Sequence, residues 1–180
     1  GGGGRGLGAW EATGRGVGDG ARGNDPYAQR DGPPRGRVGH VVRFHQIRVW
    51  LPTSPTAVLD SGGGDGEQAV RVASLGHKVT VLDPDSRMVD AAVTAAACAG
   101  FSDQITAQVG EAADVDDTLA GQFEVALCHG VSMYLETAAP CVQAVMSALR
   151  PGGIASLVTK NAPALAMRPG LRGQYADALA

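Results

Sequence analysis

Residues 57–70, AVLDSGGGDGEQAV, put Ala, Val and Leu ahead of an aspartate and then set four glycines within the five positions 62–66. A short apolar run that ends in an acid and a glycine cluster reads as a buried strand turning straight into a helix. Glycines there permit positive φ and let a ligand lie against the main chain, and the start of the following helix adds exposed N–H groups. The expectation is a strand over 57–59 with Asp60 at its carboxyl end, a turn made of Gly62, Gly63, Gly64 and Gly66, and a helix over 67–74. Something flat or extended is expected to bind across this turn. A Gly-x-Gly-x-x-Ala dinucleotide fingerprint also fits Gly64, Gly66 and Ala69, but it starts late and leaves out the glycines beside the strand. A tight strand-to-helix turn with no ligand is the plainer alternative.

The rest of the chain repeats the same alternation. Short β-rich runs at 78–82, 105–109, 123–127 and 154–159 are separated by helical patterns at 86–99, weakly at 114–119, and at 138–149. Strands joined by crossover helices of this length imply a parallel sheet covered on both faces, with ligands beyond the carboxyl ends of its strands. The fold class is therefore α/β, a Rossmann-like, doubly wound and mostly parallel sheet. Asp83 closes the second strand in VTVLDPD, nineteen residues after Gly64, where a carboxylate can accept both hydroxyls of a ribose. A turn or helix-capping role for Asp83 competes with that reading, yet Asp85 and Ser86 are better caps for the next helix and leave Asp83 for a ligand.

Length and composition bound the possibilities. At 180 residues and 44% hydrophobic content the chain is long enough for one domain with a real core. The longest apolar run, AAVTAAACAGF, is too short and alanine-rich to span a bilayer, and no signal-peptide core opens the chain; a cytoplasmic location without membrane contact is expected. Cys98, Cys128 and Cys141 lack metal-ligand spacing and read as reduced core thiols; no metal is expected.

Domain organisation is uneven. Residues 1–26 are rich in Gly and Arg and are expected to be disordered, because they cannot bury enough apolar area to offset ordering entropy. An RNA-contacting arm is a second reading of that composition. Residues 27–52 form an N-terminal helical segment with its helix over 37–51, and 53–180 form the catalytic-type domain. Residues 1–50 hold eight Arg against four acids, while 51–180 hold seven basic against fourteen acidic residues. Nucleic acid would therefore have to meet the N-terminal segment or a local patch on an acidic body.

Two later stretches distinguish between cofactors. GEAADV at 110–115 follows the third strand with Glu111 and Asp114, and ALRPGGIASLV at 148–158 carries Pro-Gly-Gly between a helix end and the fifth strand. Together with the glycine turn and Asp83, these resemble the class I S-adenosylmethionine-dependent methyltransferases. VLDSGGGDG, GHKVTVLDPDSRMVDAA, EVALCHGVSMYLE, LRPGGIASL and NAPALAM narrow the resemblance to the bacterial tRNA 5-carboxymethoxyuridine methyltransferase family, from about Tyr27 to the end of the chain. The resemblance implies S-adenosylmethionine as cofactor and the carboxylate of a modified wobble uridine in tRNA as acceptor. It also implies that Gly62 and Gly63 contact the cofactor, that Asp83 holds its ribose, that Ala112 and Ala113 frame the adenine through their backbone, and that His129 lies beside the amino-acid end. Tyr134 and Asn161, on the loops after strands four and five, are candidate substrate contacts, with capping or packing as their plainer roles. A carboxylate acceptor is already anionic, so no catalytic base is assigned.

The chain departs from the family in places. Gly39 stands where the family has an arginine for the cofactor carboxylate, Ser61 replaces a small apolar residue, and the sequence stops before the expected sixth and seventh strands, so the domain reads as incomplete. A methyltransferase acting on a small molecule and a non-catalytic truncated remnant are the competing readings, and an NAD-dependent dehydrogenase is a distant one.

Overall fold

A computed structural model describes residues 35–113, 115, 118–159 and 161. The contacts divide the chain into two compact units, Gly1–Arg43 and Phe44–Ala180. The expected disordered segment at 1–26 lies outside the described residues. Helix α1, Arg35–Trp50, begins in the first unit and ends in the second, two residues earlier at its start and one earlier at its end than the sequence suggests.

The second unit follows the expected alternation. Its elements are β1 (Ala57–Ser61), α2 (Glu67–Ala73), β2 (Lys78–Asp83), α3 (Ser86–Ala99), β3 (Ile105–Val109), β4 (Phe123–His129), α4 (Ala139–Ala148) and β5 (Leu149–Val158). The strands form one sheet in the order β3-β2-β1-β4-β5, and every neighbouring pair is parallel. After β3 the chain crosses to the other side of β1, so the order reverses between β1 and β4. That is where an open α/β sheet leaves a crevice beyond its carboxyl ends.

Strand periodicity explains why both faces are covered. Val58, Val79, Val81, Val125 and Leu127 point to one cluster, where α2, α3, the end of α1 and the residue just past it supply Val72, Ala92, Ala96, Ile47 and Leu51. Leu59, Leu82, Ala126 and Cys128 point to the other, against Cys141, Val145 and Ala148 of α4. Each fully buried Val or Leu contributes about 1.5–3 kcal/mol, which ties the central strands firmly to both helical layers.

Helix α3 shows how local chemistry sets an element. The Asp85 carboxylate accepts the Arg87 N–H at 2.9 Å and caps its start, while Gly100, at φ 78°, ends it in the left-handed region and donates to Ala97 O. Asp85 is thus the cap that the sequence indicates. Burial falls on Val89, Ala92 and Ala96, a narrow stripe of small side chains that lets the helix approach the sheet closely. Cys98 lies off that stripe and is exposed, which corrects its reading as a core thiol.

Several boundaries differ from expectation, among them that of β4, which runs on through Cys128 to His129; two other strands and one expected helix show why. β1 extends through Asp60 to Ser61, because pairing on both sides, Asp60 with Val81 and with Leu127, keeps the backbone extended. β5 begins at Leu149 rather than at Ile154; the pairing steps from Phe123↔Leu149 to Val125↔Ile154, so Arg150–Gly153 form an irregularity inside the strand. Glu124 spans this irregularity, accepting the Ala57 N–H at 2.8 Å and pairing with Arg150. In place of the short helix at 114–119, Thr118 and Leu119 form a turn and Val115 has no regular structure, the other positions lying outside the described residues.

His77, just before β2, is buried, and its Nδ1 has no hydrogen-bond partner among the described residues. Burial pushes its imidazole below the usual histidine value. The unfolded chain therefore binds a proton at higher pH than the folded one does. The stability tied to neutral His77 is complete above the ordinary value near 6.5 and is lost as pH falls through the folded value. We expect the urea midpoint to drop between pH 7 and pH 5 and the His77→Gln variant to show a flatter profile; parallel profiles would contradict this assignment.

Candidate functional site

The glycine turn is crowded by the protein itself. A Cβ on Gly62, at φ +71°, would lie 2.1 Å from Val131 Cγ2. On Gly63 it would meet Val81 Cγ1 at 2.9 Å and the Asp60 carboxyl carbon at 3.0 Å, and on Gly66, at φ +77°, it would meet Ala92 Cβ at 2.8 Å. Gly64 is different. It holds φ +58° with nothing within 4 Å of the Cβ position, so among these four it alone faces open space. Three of the glycines are required by packing from β1, β2, α3 and the loop after β4, and only Gly64 has open space on the side where a Cβ would stand.

The N–H groups of the turn are also committed. Gly62 and Gly63 both donate to the Leu82 carbonyl, at 2.6 and 3.3 Å, and Gly66 donates to Gly63 O at 3.2 Å. Gly64 N–H donates to Asp83 Oδ2 at 2.9 Å. The turn is thereby held against the end of β2. Asp83 also accepts the Asp85 N–H through Oδ1 at 3.0 Å. One carboxylate thereby fastens the turn after β1 to the turn after β2.

A carboxylate offers about four acceptor positions, and backbone donors take two of those on Asp83. The remaining capacity suits a vicinal diol, which brings two hydroxyl donors. Beside it, Gly110 N–H donates to Asp83 O at 3.1 Å, and a Cβ on Gly110 would lie 2.6 Å from Leu82 Cδ1. That close approach starts the loop holding Ala112, which is buried in the α4-side cluster, and Ala113, which is exposed. Bare main chain at Gly64, an acid with spare acceptor positions and an apolar residue beyond β3 make a surface that fits a nucleoside carrying an intact ribose.

The other candidates lie at the carboxyl ends of β4 and β5. Asp60 is 2% exposed beneath Gly63, within the strand rather than at its end. Its charge adds to burial and to the neighbouring Cys141 in pushing the Cys128 thiol up to about 12, burial being the largest cause; the two sulfurs are 3.5 Å apart. His129 is half-buried, with Nε2 2.9 Å from Ser156 Oγ. Gly130 N–H donates to Val158 O at 2.7 Å, which pins the next loop to the end of β5. Tyr134 ends a short 3-10 turn, Ser132–Tyr134, and is 49% exposed; Asn161 is exposed just past β5. The candidates thus lie at one end of the sheet. Val131 and Ser156 escaped the sequence reading, since a valine in a loop and a serine in a strand carry no motif; only their register against Gly62 and His129 reveals them.

Gly66→Ala combines a left-handed φ with a clash and is expected to lower the unfolding free energy by roughly 2–4 kcal/mol. Gly121, at φ +64° with nothing within 4 Å, isolates the backbone effect, so Gly121→Ala should cost only about 1 kcal/mol. Urea titrations of both variants check the difference, and equal losses would contradict the packing account of the turn.

Comparison with known proteins places this geometry. The family model for a methyltransferase domain matches residues 58–153, from β1 into β5. The chain is 36% identical over 147 residues to the tRNA 5-carboxymethoxyuridine methyltransferase of Escherichia coli, covering 80% of this chain and 56% of that protein. It is 30% identical over 125 residues to the ubiquinone biosynthesis O-methyltransferase of Psychrobacter arcticus, covering 69% and 49%. It spans about half the length of these relatives. Among solved structures, a methyltransferase of Geobacter sulfurreducens in complex with S-adenosyl-L-homocysteine aligns with a TM-score of 0.55 at 27% identity, over 66% of this chain and 46% of that one. With the model matching more than half of its residues and the sheet of the right order, the chain belongs to the methyltransferase-domain family, whose cofactor is S-adenosylmethionine.

Proposed function

We propose that this chain is an S-adenosylmethionine-dependent methyltransferase whose acceptor is a carboxylate on a modified wobble uridine of tRNA. The observation that carries the acceptor is the 36% identity, across 80% of the chain, to an enzyme named for 5-carboxymethoxyuridine in tRNA. The cofactor, when bound, supplies a methyl group on a positively charged sulfur. In this reading Gly62, Gly63 and Gly64 give the cofactor a main-chain surface, and Asp83 accepts from its ribose hydroxyls with the positions left free by Gly64 and Asp85. Ala112 and Ala113 border the base, and His129, held by Ser156, borders the amino-acid end. Asp60 and Gly66 act indirectly, by shaping the turn from below and behind.

Methyl transfer from a sulfonium is an in-line displacement, so the protein's contribution is alignment and exclusion of water. An ionised carboxylate acceptor needs no proton removed, and we assign no catalytic base. Tyr134 and Asn161, exposed on the loops after β4 and β5, are the residues we propose to meet the acceptor.

A small-molecule acceptor is the second reading. It is favoured by the similarity to a ubiquinone biosynthesis O-methyltransferase and by the excess of acids over bases in residues 51–180. Labelled methyl transfer separates the two. The tRNA reading predicts label in anticodon-stem RNA carrying 5-carboxymethoxyuridine, none in the same RNA with unmodified uridine, and loss of RNA binding as salt rises. Transfer to a phenolic small molecule with none to the modified RNA would overturn it. Asp83→Asn, which halves the carboxylate's acceptor oxygens, should weaken S-adenosylhomocysteine binding about tenfold or more in calorimetry; unchanged affinity would remove Asp83 from the cofactor site.

A further inference from the structure

Resting on the cofactor reading above, we infer that Val131 is a positioning residue that ties the loop carrying Tyr134 to the glycine turn, so that one side chain sets the pose of both. Gly62 has no room for a Cβ because Val131 Cγ2 occupies that place, 2.1 Å from where the Cβ would be. The contact is a branched methyl seated on bare main chain at a left-handed residue. The rest of the Val131 side chain packs against the cluster beneath α4, so it bridges the core and the turn.

The loop hangs from this contact. Val131 O accepts the Tyr134 N–H at 2.9 Å, closing the 3-10 turn Ser132–Tyr134. Gly130, at φ +80° with its N–H on Val158 O, holds the other side of Val131 to the end of β5. Tyr134 is therefore three residues from an anchor whose position depends on the turn. Two residues along the turn, Gly64 faces open space. A ligand lying along Gly62–Gly64 would abut Val131, and a displacement of Val131 would be passed through the 3-10 turn to Tyr134. A cofactor on the turn would in this way adjust the residue we propose to meet the acceptor, without any motion of the sheet.

The test uses the full chain with 3-fluorotyrosine at its three tyrosines, the Tyr134 fluorine signal being assigned by Tyr134→Phe, and S-adenosylhomocysteine as the probe. Saturation with the probe should shift the Tyr134 signal in the wild type. In Val131→Ala that shift should fall below half, while Val131→Thr, which keeps the branched shape, should retain it. Without ligand, Gly62→Ala should move the signal by displacing Val131, and adding Val131→Ala should reverse most of that movement. A probe-induced shift of equal size in Val131→Ala, or a signal indifferent to Gly62→Ala, overturns the inference and leaves the cofactor site standing. Absence of probe binding by calorimetry in the folded wild type overturns the cofactor reading itself, and the coupling with it.

Discussion

The lack of space around residues 62–66 is the constraint on which the rest of the site depends. Val131 presses on Gly62, Val81 and Asp60 on Gly63, and Ala92 on Gly66, so the loop after β4, the first two strands and α3 all converge on one turn. Any side chain at those positions would push an element away. The glycines are thus the condition for four parts of the fold to meet, and the ligand-facing role we propose falls chiefly to Gly64, which has space beside it. A packing requirement and the proposed binding surface fall within the same five residues.

Hydrogen bonds fix the turn that packing allows. Leu82 O takes the N–H of Gly62 and Gly63, and Asp83 takes those of Gly64 and Asp85. The end of β2 is in effect the frame on which the first two loops are hung, and Asp83 is both part of that frame and the acid we propose for the ribose. These two roles are compatible because a carboxylate has more acceptor positions than the backbone uses. They also imply that changes at Asp83 act on loop geometry and on ligand together.

Much of this was legible in the sequence. Burial on both faces leaves strands as short aliphatic runs, and caps such as Asp85 and Gly100 mark helix ends by local chemistry, so the β/α order and the glycine turn could be read directly. What could not be read depends on contacts between distant residues. Asp60 continues β1 because β2 and β4 pair with it on both sides, and β5 starts before Pro151 because Phe123 holds Leu149 in the ladder and Glu124 pairs with Arg150. That Leu82 O accepts the N–H of both Gly62 and Gly63 leaves no mark in the sequence, because the pairing joins two separate loops. Cys98 could have been assigned correctly from helical phase, since it lies two residues beyond Ala96 and off the buried stripe.

The central claim is that a cofactor nucleoside lies across this turn, between Gly64, Asp83 and Ala112. A crystal structure of the chain with S-adenosyl-L-homocysteine tests it most directly. Ligand is expected along Gly62–Gly64, with both ribose hydroxyls on the Asp83 carboxylate and the base beside Ala112. Ligand bound at another part of the sheet, or a ribose that makes no contact with Asp83, would contradict it.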